Sequence, residues 1–170
     1  MDAPLHFVDA ARAIDRVDLD KCVGPALVVD LSHKAEHSLM TPDDLAPYAE
    51  RIQPGSRVLL RTDWYKRADD DNWRTHYPRI SAELAHWLVE KGVWLVGVEA
   101  PSVASMRPEE KAELIEVHQI LLGVEMVIVE GLAHLDSLQQ DVVEFVALPL
   151  KLENCDGSPV RAIAIESVGD

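Results

Sequence analysis

The chain has 170 residues, 30 of them acidic and 16 basic, for a formal charge of −14. That balance disfavours nucleic acid and anionic membranes as partners, since both select a basic footprint. The 48% hydrophobic content and mean hydropathy of −0.04 describe a globular chain sized for one domain over residues 1–170, and no apolar run reaches the ~18–20 residues that cross a bilayer.

The first residues lack a basic stretch followed by an apolar one, so a cytoplasmic location is expected. Cys22 and Cys155 lie far apart without CxxC spacing and are read as reduced thiols. There is no P-loop and no GxGxxG.

In Met1-Asp2-Ala3-Pro4-Leu5-His6-Phe7, Pro4 pushes Ala3 toward extended backbone. An extended segment would set Asp2, Pro4 and His6 on one wall, with Leu5 and Phe7 on the other. Residues 7–22 are polar and acidic, a loop or short helix. Gly24-Pro25 breaks the chain, and the apolar run Ala26–Leu31 predicts a buried strand. Thr41-Pro42-Asp43-Asp44 is a helix-start signal, with a capping hydroxyl, proline in the first turn and acids against the dipole. This helix is expected to reach Ile52, ahead of Pro54-Gly55.

Residues 57–62 predict the next strand. Residues 63–78 form a long polar loop holding Trp64, Tyr65 and Trp73. These aromatics either pack on the domain or a subunit interface, or wall an aromatic-substrate pocket. Ser81 caps a helix running to Lys91, and Gly92 ends it. A strand follows at 93–98, a helix at 108–122 carrying His118, and a strand at 124–129 ending at Glu130-Gly131. Two final strands, 142–150 and 160–165, flank the turn cluster 153–159. Strand–helix alternation with apolar strands implies an α/β layered domain with a partly parallel sheet.

Sites in such sheets gather at the carboxyl ends of strands, where Glu99 and Glu130 both fall. A lone glutamate directly after Val127-Ile128-Val129 is costly if buried unpaired and demands a cation or donors. His118 and Glu130 lie at opposite ends of a helix–strand unit, so only the fold can bring them together. His33, His37, His76, His86 and His134 are expected to be surface or supporting groups.

Asp2–Phe7, Gly97-Val98-Glu99-Ala100-Pro101-Ser102, His118 with Glu130-Gly131-Leu132, and Ala147–Lys151 followed by Ser158–Arg161 together resemble the cyclase-like metal-dependent hydrolases. This family includes bacterial kynurenine formamidase and isatin hydrolase. The resemblance runs from Asp2 to about Ile165 and implies a swivelling β/β/α-type domain in dimers or tetramers. It implies metal ligation by Asp2, His118 and Glu130, with His6 as the catalytic proton carrier. The metal would be Zn²⁺, or Mn²⁺ in some members, one or two per subunit. The implied reaction is hydrolysis of a small aryl-formamide or cyclic amide by a metal-activated water. The family motif H-x-G-T-H-x-D-x-P-x-H is entered midway at Met1, so the start is expected to be an internal methionine and the domain N-terminally truncated. On that expectation the alternative is an impaired member serving only as an oligomeric scaffold. Glu99 departs from the family's usual aspartate.

Overall fold

The computed structural model describes residues 1–166. Its strands are β1 (Val23–Asp30), β2 (Leu39–Met40), β3 (Arg57–Arg61), β4 (Arg79–Ile80), β5 (Leu95–Val98), β6 (Val127–Val129), β7 (Val142–Val146) and β8 (Ile163–Ile165). Its α-helices are α1 (Pro42–Leu45), α2 (Ala82–Glu90) and α3 (Lys111–Leu122). The main sheet runs β6-β5-β3-β1-β7-β8. Its first four strands are parallel, and β7 and β8 are antiparallel. This is the α/β architecture with a partly parallel sheet that the alternation predicted.

The two faces of the sheet divide the core. Leu27, Val29, Val58, Leu60, Val96 and Ile128 face α2 and α3, meeting Leu84, Leu88, Val117 and Leu121. Val28, Leu59, Leu95, Val127, Val143 and Phe145 occupy the other face, with Leu132 and Leu135 laid over it. Alternate residues point to opposite faces, so strands buried on both sides must be apolar throughout. Ser81 caps α2 by accepting from the Leu84 amide at 3.0 Å.

Several expectations fail for local reasons. β1 starts at Val23, so Gly24-Pro25 lies inside a strand. Pro25 is tolerated because its pairing there is to β7 alone, and β3 joins only from Ala26. Gly24 has φ +133°, and a Cβ on it would stand 2.9 Å from the Arg57 guanidinium, which docks on the backbone oxygens of Asp20, Lys21 and Pro25. The helix expected to reach Ile52 ends at Leu45 and tightens into a 3₁₀ turn over Ala46–Tyr48. Pro47 has no amide to continue an α-helical ladder.

The last parallel strand is shorter than 124–129, because Glu125 takes a left-handed conformation (φ 60°) before β6 begins. The 142–150 strand stops at Val146, short of Pro149. The β2–β4 pair, two residues each, had no readable signal. Trp64 is buried and its indole donates to the Trp73 carbonyl at 2.9 Å, while the Tyr65 hydroxyl donates to Asp136 at 2.7 Å. Of the two readings of that loop, packing is the one these contacts support.

Candidate metal centre

The site is built where β6 ends, and the chain's first residues are woven against it. The Asp2 amide donates to the Ile128 carbonyl at 2.9 Å, and the Ala3 amide to that of Asp156 at 2.9 Å. The Ser158 amide donates to the Met1 carbonyl at 3.0 Å, so Asp2 forms bridges to both Ile128 and Gly157. These bonds tie Asp2 to its neighbours as they would a strand residue.

Beyond Ala3 the extended reading is corrected. Pro4–His6 form a single 3₁₀ turn, closed by the His6 amide on the Ala3 carbonyl at 2.9 Å, and proline suits the first position of such a turn. Asp2, Pro4 and His6 therefore do not line one wall, and Phe7 does not face away. The Phe7 ring stacks on the His118 imidazole with centroids 4.2 Å apart and planes 23° apart. The His6 ring stands 6.1 Å from that of His118.

His118 is 2% exposed, on the inward face of α3. Its Nδ1 lies 2.7 Å from the Leu114 carbonyl oxygen. A carbonyl only accepts, so Nδ1 carries the proton and Nε2 presents its lone pair, the tautomer of a metal ligand. Nε2 is 3.9 Å from Asp2 Oδ2 and 3.6 Å from Glu130 Oε1. Glu130 Oε1 is itself held by the Val103 amide at 3.0 Å.

The structure thus brings Asp2, His118 and Glu130 together, with one ligand-type atom from each inside 4.8 Å of the others. None of the other histidines joins this cluster among the described residues.

The gaps are informative. At 3.6 and 3.9 Å His118 Nε2 is too far from either carboxylate to hydrogen-bond. Ligands at ~2.1 Å around a tetrahedral zinc stand about 3.4 Å from one another, close to what is seen. Asp2 Oδ2 is buried and has no hydrogen-bond partner among the described residues. Burial, and then the charge of Glu130, push the Asp2 carboxyl from 3.8 up to about 6. An uncompensated buried carboxylate beside a second one and a correctly protonated imidazole form a donor set that fits a divalent cation.

Glu99 at the end of β5 plays a different part. It is fully buried, and its Oε2 accepts from the Thr62 and Asp63 amides at 2.8 and 2.5 Å. It joins the end of β3 to the 100–105 segment that carries the Val103 amide. The Tyr77 hydroxyl anchors the same segment through the Ala104 carbonyl at 2.6 Å. Beside Glu130 opens a cleft of about 520 Å³, with Leu132, Leu135, Phe145, Val160 and Arg161 among its walls.

Three contributors escaped the sequence reading: the Val103 amide, the Phe7 face, and Asp156, whose carboxylate lies 2.7 Å from His6 Nδ1. Only Asp156 left a trace, as the acid of the Asp156-Gly157 turn. Gly157 permits the weave, since a Cβ there would lie 2.9 Å from the Met1 carbonyl oxygen. Gly157→Ala is expected to cost about 1–3 kcal/mol in urea denaturation and to weaken zinc binding in a titration, because backbone must shift to admit the methyl.

The α/β sheet with its histidine–carboxylate cluster at a strand end is shared with known proteins. Residues 1–105 match the family model described as "Putative cyclase", and the chain belongs to that family. It is 34% identical over 166 residues to the kynurenine formamidase of Bordetella petrii, covering 97% of this chain and 74% of that protein. Among solved structures it is similar to isatin hydrolase A from Labrenzia aggregata bound to benzyl benzoate, with TM-score 0.85, 28% identity, and coverage of 96% of this chain and 70% of that one. It is also similar to a structure described as a potential metal-dependent hydrolase with cyclase activity, at TM-score 0.78, 29% identity, and coverage of 96% and 75%.

Proposed function

We propose that the protein is a metal-dependent hydrolase of C–N amide bonds, acting on a small aryl-formamide or cyclic amide as the names of its relatives suggest. The observation that carries this is the meeting of Asp2 Oδ2, His118 Nε2 and Glu130 Oε1, with the aspartate oxygen buried and unpartnered. These three residues would hold Zn²⁺ or Mn²⁺.

A divalent ion held there supplies Lewis acidity and a water of lowered pKa, enough to open an amide at neutral pH. The remaining work falls to the chain. The Leu114 carbonyl and the Phe7 face keep the His118 ring oriented. The Val103 amide holds Glu130. The apolar walls of the cleft would receive an aryl group and exclude water from it. His6 hands a proton to the departing nitrogen, as a general acid placed beside the cluster.

The test is metal analysis together with hydrolysis of N-formylkynurenine and of isatin. The expected result is near-stoichiometric zinc or manganese, with turnover abolished by a chelator and restored by the metal. Folded protein that takes up no metal and turns over neither compound would defeat this reading in favour of a scaffold role. We further infer that the protein is a homo-oligomer, dimer or tetramer, which light scattering would report. Among the described residues no helix is long and apolar enough to cross a membrane.

A further inference from the structure

His6 is the member of the site whose surroundings the family motif does not explain. Its Nδ1 sits 2.7 Å from Asp156 Oδ2, across 150 positions of sequence. Both side chains are partly open to solvent, 38% for His6 and 61% for Asp156. A free surface pair of that kind would contribute little and would not hold one geometry.

This pair is not free. The backbone on both sides of Asp156 is pinned to the start of the chain. The Ala3 amide binds the Asp156 carbonyl, the Ile14 amide binds the Cys155 carbonyl at 2.9 Å, and the Ser158 amide binds the Met1 carbonyl. The Asn154 amide binds the Asp15 carboxylate at 3.2 Å. The turn carrying Asp156 is therefore set before its side chain chooses a partner, and His6 sits on a closed 3₁₀ turn opposite.

We propose that Asp156 is the positioning residue for His6, holding its Nδ1–H so that the ring is fixed and Nε2 is left free to carry the proton. The inference rests on the proposed hydrolase activity for its catalytic consequence and on geometry alone for the tautomer. A carboxylate accepts from Nδ1–H and cannot donate, so the neutral ring is driven into the Nδ1–H form. Nε2 then takes a proton from the attacking water and returns it to the leaving nitrogen, and the imidazole ends as it began. The hydrogen bond to His6 also keeps the Asp156 carboxyl below its ordinary range.

Two measurements decide it. Long-range ¹H–¹⁵N correlation spectra of the histidine rings read the tautomer without needing turnover. His6 should be Nδ1-protonated in the wild type and lose that preference in Asp156→Asn. A wild-type His6 protonated on Nε2 would overturn the proposal whatever the activity.

In the metal-loaded enzyme, Asp156→Asn should lower kcat by about 10–100-fold, with KM and metal content unchanged, and Asp156→Glu should recover part of the loss. The double variant His6→Asn/Asp156→Asn should be no slower than His6→Asn alone, because the two residues act as a unit. Independent, additive losses, or loss of metal with Asp156→Asn, would assign Asp156 a merely structural role. If the loaded wild type hydrolyses neither compound, the function reading fails, and the ring spectra still settle the part played by Asp156.

Discussion

Asp2→Asn is expected to abolish metal binding and, in the same protein, to raise the melting temperature of the metal-free form at pH 7. The two effects share one cause. The Asp2 carboxyl is buried beside Glu130, which lifts it from 3.8 to about 6. An acid whose folded pKa lies above its unfolded value favours the fold only while protonated. Its contribution is fully favourable below the unfolded value, declines as pH rises from 3.8 through about 6, and is a net cost above that. A shift of that size corresponds to on the order of 2–3 kcal/mol at neutral pH.

Asparagine keeps the shape and discards the charge, so metal-free Asp2→Asn should be more stable than wild type at pH 7 and no more stable near pH 3. With zinc added the order reverses. Ligand at a hundred to a thousand times its Kd stabilises the wild type by about 3–4 kcal/mol, and the variant gains nothing. Removing an outer partner of a metal ligand costs 10–100-fold in affinity or activity, and removing a ligand outright should cost at least about a hundredfold. Thermal melts at two pH values, with and without zinc, test every part of this. An Asp2→Asn protein stabilised by zinc as the wild type is would sink the assignment of Asp2.

Glu99 should give the second large effect, and here the contrast between two substitutions matters more than either alone. Its Oε2 is the acceptor for two backbone amides, the buried one of Thr62 and the half-buried one of Asp63. Glu99→Ala removes that acceptor, strands both donors and opens a cavity at a fully buried position, for an expected loss of about 3–5 kcal/mol. Glu99→Gln keeps a carbonyl oxygen for the amides. Burial raises the Glu99 pKa, so the fold prefers this group uncharged. The glutamine amino group would, however, replace Oε1, which is buried without a partner among the described residues, so Glu99→Gln should lose about 1–3 kcal/mol, less than Glu99→Ala. Urea denaturation of the two variants would show the difference. Equal losses would mean that the charge of Glu99, and not its acceptor, is what the fold uses.

The parallel core was legible because short apolar runs at 26–31, 57–62 and 93–98 have strand length and are set off by glycine, proline and polar residues. The histidine and carboxylates could be singled out by type, and Glu130 by its place after an apolar strand. What sequence could not supply was their meeting. His118 reaches Glu130 only because α3 packs back across the sheet, and Asp2 reaches both only because the chain's start is hydrogen-bonded to β6 and to 156–158.

The failures are also local. The first segment was expected to be extended because Pro4 constrains the residue before it, yet the residues after it were free to close a 3₁₀ turn, and that turn set Phe7 on His118. Pro47 was a visible helix breaker and outweighed a good N-terminal signal. The Val103 amide and the Asp156–His6 contact depend on loops meeting over long separations, and no periodicity records such meetings.

The weave of the first residues between β6 and the 156–158 turn sets an order on how the molecule can be made. Asp2 leaves the ribosome more than a hundred residues ahead of Ile128 and Gly157, the two positions it bridges. The aspartate must wait, unseated, while most of the sheet assembles. A nascent chain stalled before Gly157 would therefore lack the strap that secures this corner, and ion capture would wait until the 156–158 turn is made.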